Sequence, residues 1–211
     1  MLGKDNVSSL EMAELFDRFK VAMLRGKLAN IATDVETSQV MDARFKKLVA
    51  GEPQVAEQKY RKPFEFSPFA RLLFSANDFI PTKDRSLGFF RRFDVIRFSR
   101  VFDESEQDKD LEQTLRNELP GIFNWALAGL VRLEENNWRM TESLAMKQAH
   151  EDFKHQVNPL INFLEEHCTL DPQGKTRASL LRHKYVEWCK QNGYHPLSDV
   201  ALGKELKRLH K

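Results

Sequence analysis

Three polar groups in the first hundred residues follow short apolar runs. Asp34, with Glu36 two positions on, follows "LANIA"; Asn77 follows "FARLLFSA". The pair Arg91-Arg92 stands beyond Asn77, flanked by Phe89, Phe90 and Phe93. A carboxylate at a strand tip can hold a magnesium ion or polarise a water in phosphoryl transfer. An amide at such a tip can position a water or a phosphate oxygen. A guanidinium carried on a core-anchored stretch can stabilise charge on a transferring phosphoryl group, often from a neighbouring subunit. Each group also has a plainer reading: a solvated loop acid, an Asx turn in "SANDFIP", and a surface salt bridge. Singly, the acid and the amide fit the plainer readings better. Their order along the chain carries more information than any one of them.

Two basic clusters have a different chemistry. Lys59-Tyr60-Arg61-Lys62 puts three cations and one ring between segments that alternate in part, as at the tip of a hairpin. Cations track phosphates, and an aromatic can stack on an unpaired base. Near the C-terminus, Lys204, Lys207 and Arg208 recur at spacings of three and four, which brings Lys204 onto a helix face with the other two. A solvated basic face is the alternative for both clusters, since Glu57 and Glu65 flank the first and Glu205 lies within the second. The formal net charge of the 211 residues is only +2, so bulk charge says nothing about partners. Its distribution is uneven. Residues 59–100 carry ten Lys/Arg against four Asp/Glu, and residues 101–140 carry four against nine. A basic face beside an acidic linker accounts for this equally well.

The elements that would position these groups are short strands alternating with helices, the pattern of an α/β sheet, in which chemistry gathers where strands end. Residues 8–24 have apolar positions near helical spacing (Leu10, Leu15, Phe16, Phe19, Met23), with Ser8 or Ser9 as cap. A strand is expected over 28–32, a helix over "VMDARFKKLVAGE" stopped by Gly51, and strands in "QVAEQKYRKPFEF", "ARLLFSAND" and "DVIRF" (94–98). Residues 107–134 read as helical. Beyond about Thr141 the texture changes: all six histidines lie there, and three short helices, the last capped by Ser198, suggest a helix-turn-helix or winged-helix module. Cys168 and Cys189 lack metal-ligand spacing and read as free buried thiols. No apolar run is long enough to span a bilayer and no signal peptide is seen. A cytoplasmic protein without a membrane partner is expected.

The order strand-acid, basic aromatic hairpin, strand-Asn, paired Arg resembles superfamily 3 helicases, specifically the C-terminal helicase part of phage- and plasmid-type primase–helicases. The residues that carry the resemblance are "LRGKLANIATDVE", "FKKLVAGEPQVAEQKYRKPFEFSPFARLLFSAND", "DRSLGFFRRFDVIRF", "LRNELPGIFNWALAGLVRL" and the "YVEWCKQNGYHPLS" module. The resemblance implies a partial AAA+ P-loop ATPase core over 1–103, a helical extension over 104–140, and a winged-helix-like DNA-binding domain over 141–211 that stops before its wing. It places Asp34 at the acidic Walker B position and on the metal. Relatives often carry two adjacent acids there, so Glu36 remains a substitute. It makes Asn77 the sensor asparagine, Lys59 the lysine of the DNA-contacting hairpin region, and Arg91 or Arg92 the arginine finger acting on the next subunit's ATP. It further implies ATP and Mg2+ as cofactors, a homo-oligomeric (hexameric) ring, and single-stranded DNA as partner.

A phosphate-binding loop needs glycines that expose backbone N–H groups, a Lys for the phosphates and a Ser/Thr for magnesium. No G-x-x-x-x-G-K-[ST] occurs in the 211 residues. The chain therefore reads as the half of a helicase domain that follows this loop, working with a separate N-terminal half or primase domain. Inactivity alone is expected, because no loop cradles the phosphates, and marginal stability or self-association is expected, because a missing strand leaves sheet edge uncovered. The alternatives are a non-enzymatic DNA-binding module and a non-functional prophage remnant.

Overall fold

The computed structural model describes residues 2–33, 35, 43–80, 82, 84–171 and 173–209. The chain divides into two compact units, Met1–Phe153 and Lys154–Lys211. The architecture is mixed α/β. Its strands are β1 (Val7–Ser8), β2 (Ala29–Ala32), β3 (Gln54–Ala56), β4 (Phe64–Phe66) and β5 (Arg71–Phe74). The helices begin with α1 (Ala43–Val49), α2 (Leu87–Phe90), α3 (Leu111–Asn117), α4 (Leu119–Glu135) and α5 (Leu144–Val157). They end with α6 (Pro159–His167), α7 (Ala178–Gln191) and α8 (Asp199–Leu209).

β1, β2 and β5 form a parallel sheet with β2 in the middle. β2 pairs Ala29 with Arg71 and Ala32 with Phe74, so the C-terminal ends of β2 and β5 are level. The middle strand carries a fully buried amide. Asn30 Oδ1 accepts from Ser8 Oγ at 2.9 Å and from the Leu10 amide at 2.8 Å, and its Nδ2 donates to the Leu10 carbonyl at 2.9 Å. The segment leaving β1 is thereby held by a side chain where no ladder partner exists. β3 and β4 form a separate antiparallel hairpin, with Gln54 opposite Phe66 and Ala56 opposite Phe64. α1 ends as the sequence suggests: Gly51 takes φ +71°, and a Cβ there would lie 3.3 Å from the Pro68 carbonyl oxygen.

Two expected elements are absent among the described residues. Residues 8–24 are not an amphipathic helix. Ser8 belongs to β1, and the rest folds into the 3-10 turns Glu14–Phe16 and Val21–Leu24. The Asp17 carboxylate accepts from the amides of Phe19 and Lys20, at 2.7 and 2.9 Å, and this local bonding competes with helix. Leu10 and Leu15 are buried as expected, but Phe19 and Met23 are exposed. Residues 94–98 are not a strand. Val95, Ile96 and Phe98 suit a pleated surface, yet the run pairs with no neighbour, and propensity alone does not make a ladder.

α2 is short but well anchored. Ser86 caps it by accepting from the Phe89 amide at 3.2 Å. Phe89 and Phe90 are buried. Phe93 stacks on Phe45 of α1 with centroids 5.1 Å apart, and Phe90 meets Phe153 edge-on at 5.3 Å. The Lys46 ammonium reaches the Asp84 carboxylate at 2.5 Å, and the Ser86 amide donates to the same carboxylate at 3.0 Å. Burial pushes the Asp84 carboxyl up, but these hydrogen bonds and the Lys46 charge outweigh it and hold Asp84 below its ordinary value.

α3 and α4 contain no buried residue, although Leu119, Phe123, Trp125, Leu127, Leu130 and Val131 crowd α4. In the second unit, Leu160, Phe163, Tyr185, Trp188, Cys189 and Leu202 from α6, α7 and α8 form one core. Ser198 Oγ accepts from the Ala201 amide at 3.3 Å, as a cap of α8 should. Both cysteines are free, Cys189 buried and Cys168 half-buried. Among the described residues, no helix is long and apolar enough to cross a membrane.

Removing the buried amide should cost the sheet its anchor. Asn30→Leu leaves the Leu10 amide and carbonyl without their partner and is expected to lower unfolding free energy by about 3 kcal/mol, read from urea denaturation. A midpoint within error of the parent protein would contradict this. For Asp84 the folded carboxyl is held down, so its contribution is present above its ordinary value near pH ~4 and lost as pH falls through the depressed value. Asp84→Asn should therefore destabilise the protein at pH 6, and the gap from the parent should narrow as the pH is lowered toward 3 and below. The check is a pair of urea midpoints at each pH; a gap that widens in acid would show the opposite sign.

Candidate functional site

The site is built on the level ends of two neighbouring parallel strands. The Ser75 amide donates to the Ala32 carbonyl at 3.0 Å, and the Val35 amide returns to the Ser75 carbonyl at 3.0 Å. The two chains therefore stay side by side for a step beyond the last ladder pair. Asp34 and Glu36, the sequence-based candidates for metal and base, lie outside the described residues. Asn77 follows Ser75 by two positions and sits exposed in a bend. The Asp78 carboxylate accepts from the Phe79 amide at 2.7 Å, so turn bonding is local to Asp78. Among the described residues, no group of three or more His, Cys, Asp or Glu could hold a metal ion.

Arg91 and Arg92 leave α2 in different ways, which their sequence does not distinguish. The Arg92 guanidinium donates back to the Gly88 carbonyl of its own helix and is half-buried. Arg91, the C-cap residue, is exposed. The aromatic cluster and the Lys46–Asp84 pair fix the helix that carries them. Sequence reasoning passed over Arg85, whose Nε is buried without a hydrogen bond. Its position between Asp84 and Ser86 was the available signal.

The basic hairpin tip lies between β3 and β4, as expected. Lys59, Tyr60, Arg61 and Lys62 are all exposed. Tyr60 is fully solvent-exposed and takes φ +65°, a conformation that a bulky residue adopts only at a cost. The Arg61 amide closes the turn on the Gln58 carbonyl at 3.1 Å. In the tail, Lys204 and Lys207 are exposed on α8. Arg208 is half-buried and ion-paired with Glu205, whose Oε1 also accepts from Asn158 Nδ2 at 2.6 Å. Arg208 is therefore engaged inside its own unit, and the three tail cations are not equivalent. The structure brings together the β2 and β5 tips, and separately the four hairpin residues.

A second feature was not read from the sequence. Phe19, Ala22, Met23, Glu57, Gln58 and Lys59 line a cleft between the turn Val21–Leu24 and the base of the hairpin. Helical periodicity had placed Phe19 and Met23 in a core. Asp17, a residue that favours turns, was the signal against it.

A model described as a family of unknown function (DUF5906) matches residues 1–92, and one described as poxvirus D5 protein-like matches residues 155–211. No curated protein matches the chain. Among solved structures, the chain is similar to the A form apo structure of the NrS-1 C-terminal region. The identity is 22% and the TM-score 0.53, over 90% of this chain and 41% of that one. The chain thus spans less than half the length of that protein. The likeness shows a shared mixed α/β fold, and the tail is similar in sequence to the poxvirus D5 protein-like model.

Proposed function

We propose that this chain is the C-terminal part of a D5-like primase–helicase of the superfamily 3, AAA+ type, acting on single-stranded DNA. The observation that carries the reading is the parallel pairing of β2 with β5. It aligns the ends of two strands whose sequences continue into Asp34 and Asn77. Crevices beyond the carboxyl ends of parallel strands are where such sheets bind ligands. The D5-like match of the tail and the fold shared with the NrS-1 C-terminal region support the same reading.

The residues present do not make a nucleotide site by themselves. The donor set lacks the Gly-rich loop with its Lys and Ser/Thr, which would cradle the phosphates of an ATP–Mg2+ complex. What the chain supplies is an amide at Asn77 to position water or a phosphate oxygen, and an outward guanidinium at Arg91 to meet a neighbouring subunit in a homo-oligomeric ring. Arg92, turned back on Gly88, is the weaker candidate for that task. The tail would be a winged-helix-like domain, with Lys204 and Lys207 the cations free to meet DNA.

On this reading the 211 residues alone neither bind ATP at micromolar concentration nor hydrolyse it. Calorimetry and a phosphate-release assay check this; micromolar ATP binding with turnover that Asp34→Ala abolishes would overturn it and reveal a phosphate site within these residues that includes Asp34. Joined to a segment that carries the missing loop, the protein should lose about 10³-fold or more of its turnover in Arg91→Ala and much less in Arg92→Ala. Mixing Arg91→Ala with Asp34→Ala should restore part of it, because intact sites form at mixed interfaces. Equal losses in the two arginine variants, or no rescue on mixing, would remove the trans role from Arg91.

A non-enzymatic DNA-binding module is favoured instead by the exposure of the hairpin cations in a chain without the loop. The readings separate on DNA. Binding to an unstructured oligonucleotide, followed by anisotropy at two salt concentrations, should fall steeply with salt. Lys59→Ala should weaken it more than Lys207→Ala if the hairpin lines a channel. The reverse ranking would favour the module.

A further inference from the structure

The cleft beside the hairpin base joins an aromatic ring, a thioether and an amide to the first cation of the basic tip. Phe19 and Met23 remain 43% and 55% exposed on its wall, although nothing in their chemistry favours water. The wall is held in place. The Asp17 carboxylate fixes the backbone at Phe19 and Lys20. The Glu57 amide donates to the Arg18 carbonyl at 2.9 Å, and the Arg18 guanidinium pairs with the Glu57 carboxylate at 3.0 Å. That guanidinium also lies over the Phe19 ring, 5.2 Å from its centroid. The ring is thus oriented by a cation while much of it stays open to solvent.

We propose that this cleft is a pocket for one unpaired nucleobase of a bound single strand, with Phe19 as its stacking platform. The idea rests on the single-strand reading above and adds to it the part of the ligand that is recognised. A flat apolar ring beside a thioether takes a heteroaromatic face and gives nothing to a bare phosphate. Gln58 offers polar atoms for a base edge. Lys59, on the rim, meets the backbone phosphate of the same nucleotide. The next residue, Tyr60, is held out by its left-handed backbone as a second exposed ring. Two rings separated by a cation match the alternation of base and phosphate along a strand. A duplex hides its base faces, so the pocket selects single strands.

The experiment compares oligothymidylate with an abasic strand of equal length and equal phosphate number, by fluorescence anisotropy with the whole chain. The parent protein should prefer the base-bearing strand by about 5- to 150-fold, the range for one stacked base. Phe19→Ala should cut that preference about five-fold or more, to what Tyr60 alone supports, with the salt slope unchanged, and Phe19→Trp should keep it. Lys59→Ala should weaken both strands alike and lower the salt slope by about 0.7. Phe19 lies outside the buried core, so the fold should survive its removal, which a cooperative urea transition checks. Met23→Glu, a second variant that places a carboxylate in the cleft, should also lower the preference. A Phe19→Ala protein that keeps the full preference overturns the pocket. Equal binding of the two strands by the parent overturns it too, while leaving the single-strand reading intact. Binding to neither strand defeats both.

Discussion

Four residue pairs between β2 and β5 set the geometry on which the first unit's candidate site depends. Because the strands run parallel, nothing local brings them together: nearly forty positions of chain separate their ends. The pairing has to be specified by what β2 buries. Ala29 and Ala32 are small enough to let neighbours approach, and Asn30 spends its whole side chain on β1 and on Leu10. A buried amide is tolerated only when its bonds are made, so the register of β2 against β1 that satisfies Asn30 is set apart from slipped alternatives. On its other edge, the register of β2 against β5 makes the two strand ends level, and the groups that follow them inherit the alignment.

The arginine-bearing segment and the basic hairpin show two ways of presenting a charged group. α2 has only four residues, too few to be stable by propensity. It stands because Ser86 caps one end, phenylalanines pack beneath it and Asp84 ties its approach to α1. The hairpin instead keeps Tyr60 exposed and strained, a cost that packing elsewhere must offset. One device builds rigidity under a group; the other holds a group away from the protein that carries it.

How far these features could be read from sequence depends on the range of the forces behind them. β2, β5, the hairpin and α1 were legible, since each is a short apolar or alternating run bounded by Gly, Pro or polar residues. Ser198 was legible as a cap because capping is local. Residues 8–24 misled because apolar spacing close to 3.6 also arises when successive 3-10 turns bury one side, and the Asp17 bonds that decide the matter involve one side chain. "DVIRF" misled because a strand needs an edge to pair with, which no window of sequence contains. The difference between Arg91 and Arg92 was illegible for a third reason. It is a matter of rotamer and of one carbonyl, Gly88, and the residue types are identical. The candidate acids Asp34 and Glu36 lie outside the described residues and stay at the level of sequence.

α4 gives the protein an uneven response to heat. Its 17 residues form a helix with no fully buried residue, so backbone bonding and short-range contacts carry much of its support. Such a helix is governed by nucleation and fraying, not by the cooperative loss of a core. The sheet and the second unit's core should each melt over a narrow interval. The ellipticity of α4 should instead drain away gradually, beginning well below those transitions, and its amide protons should exchange without waiting for either core to open.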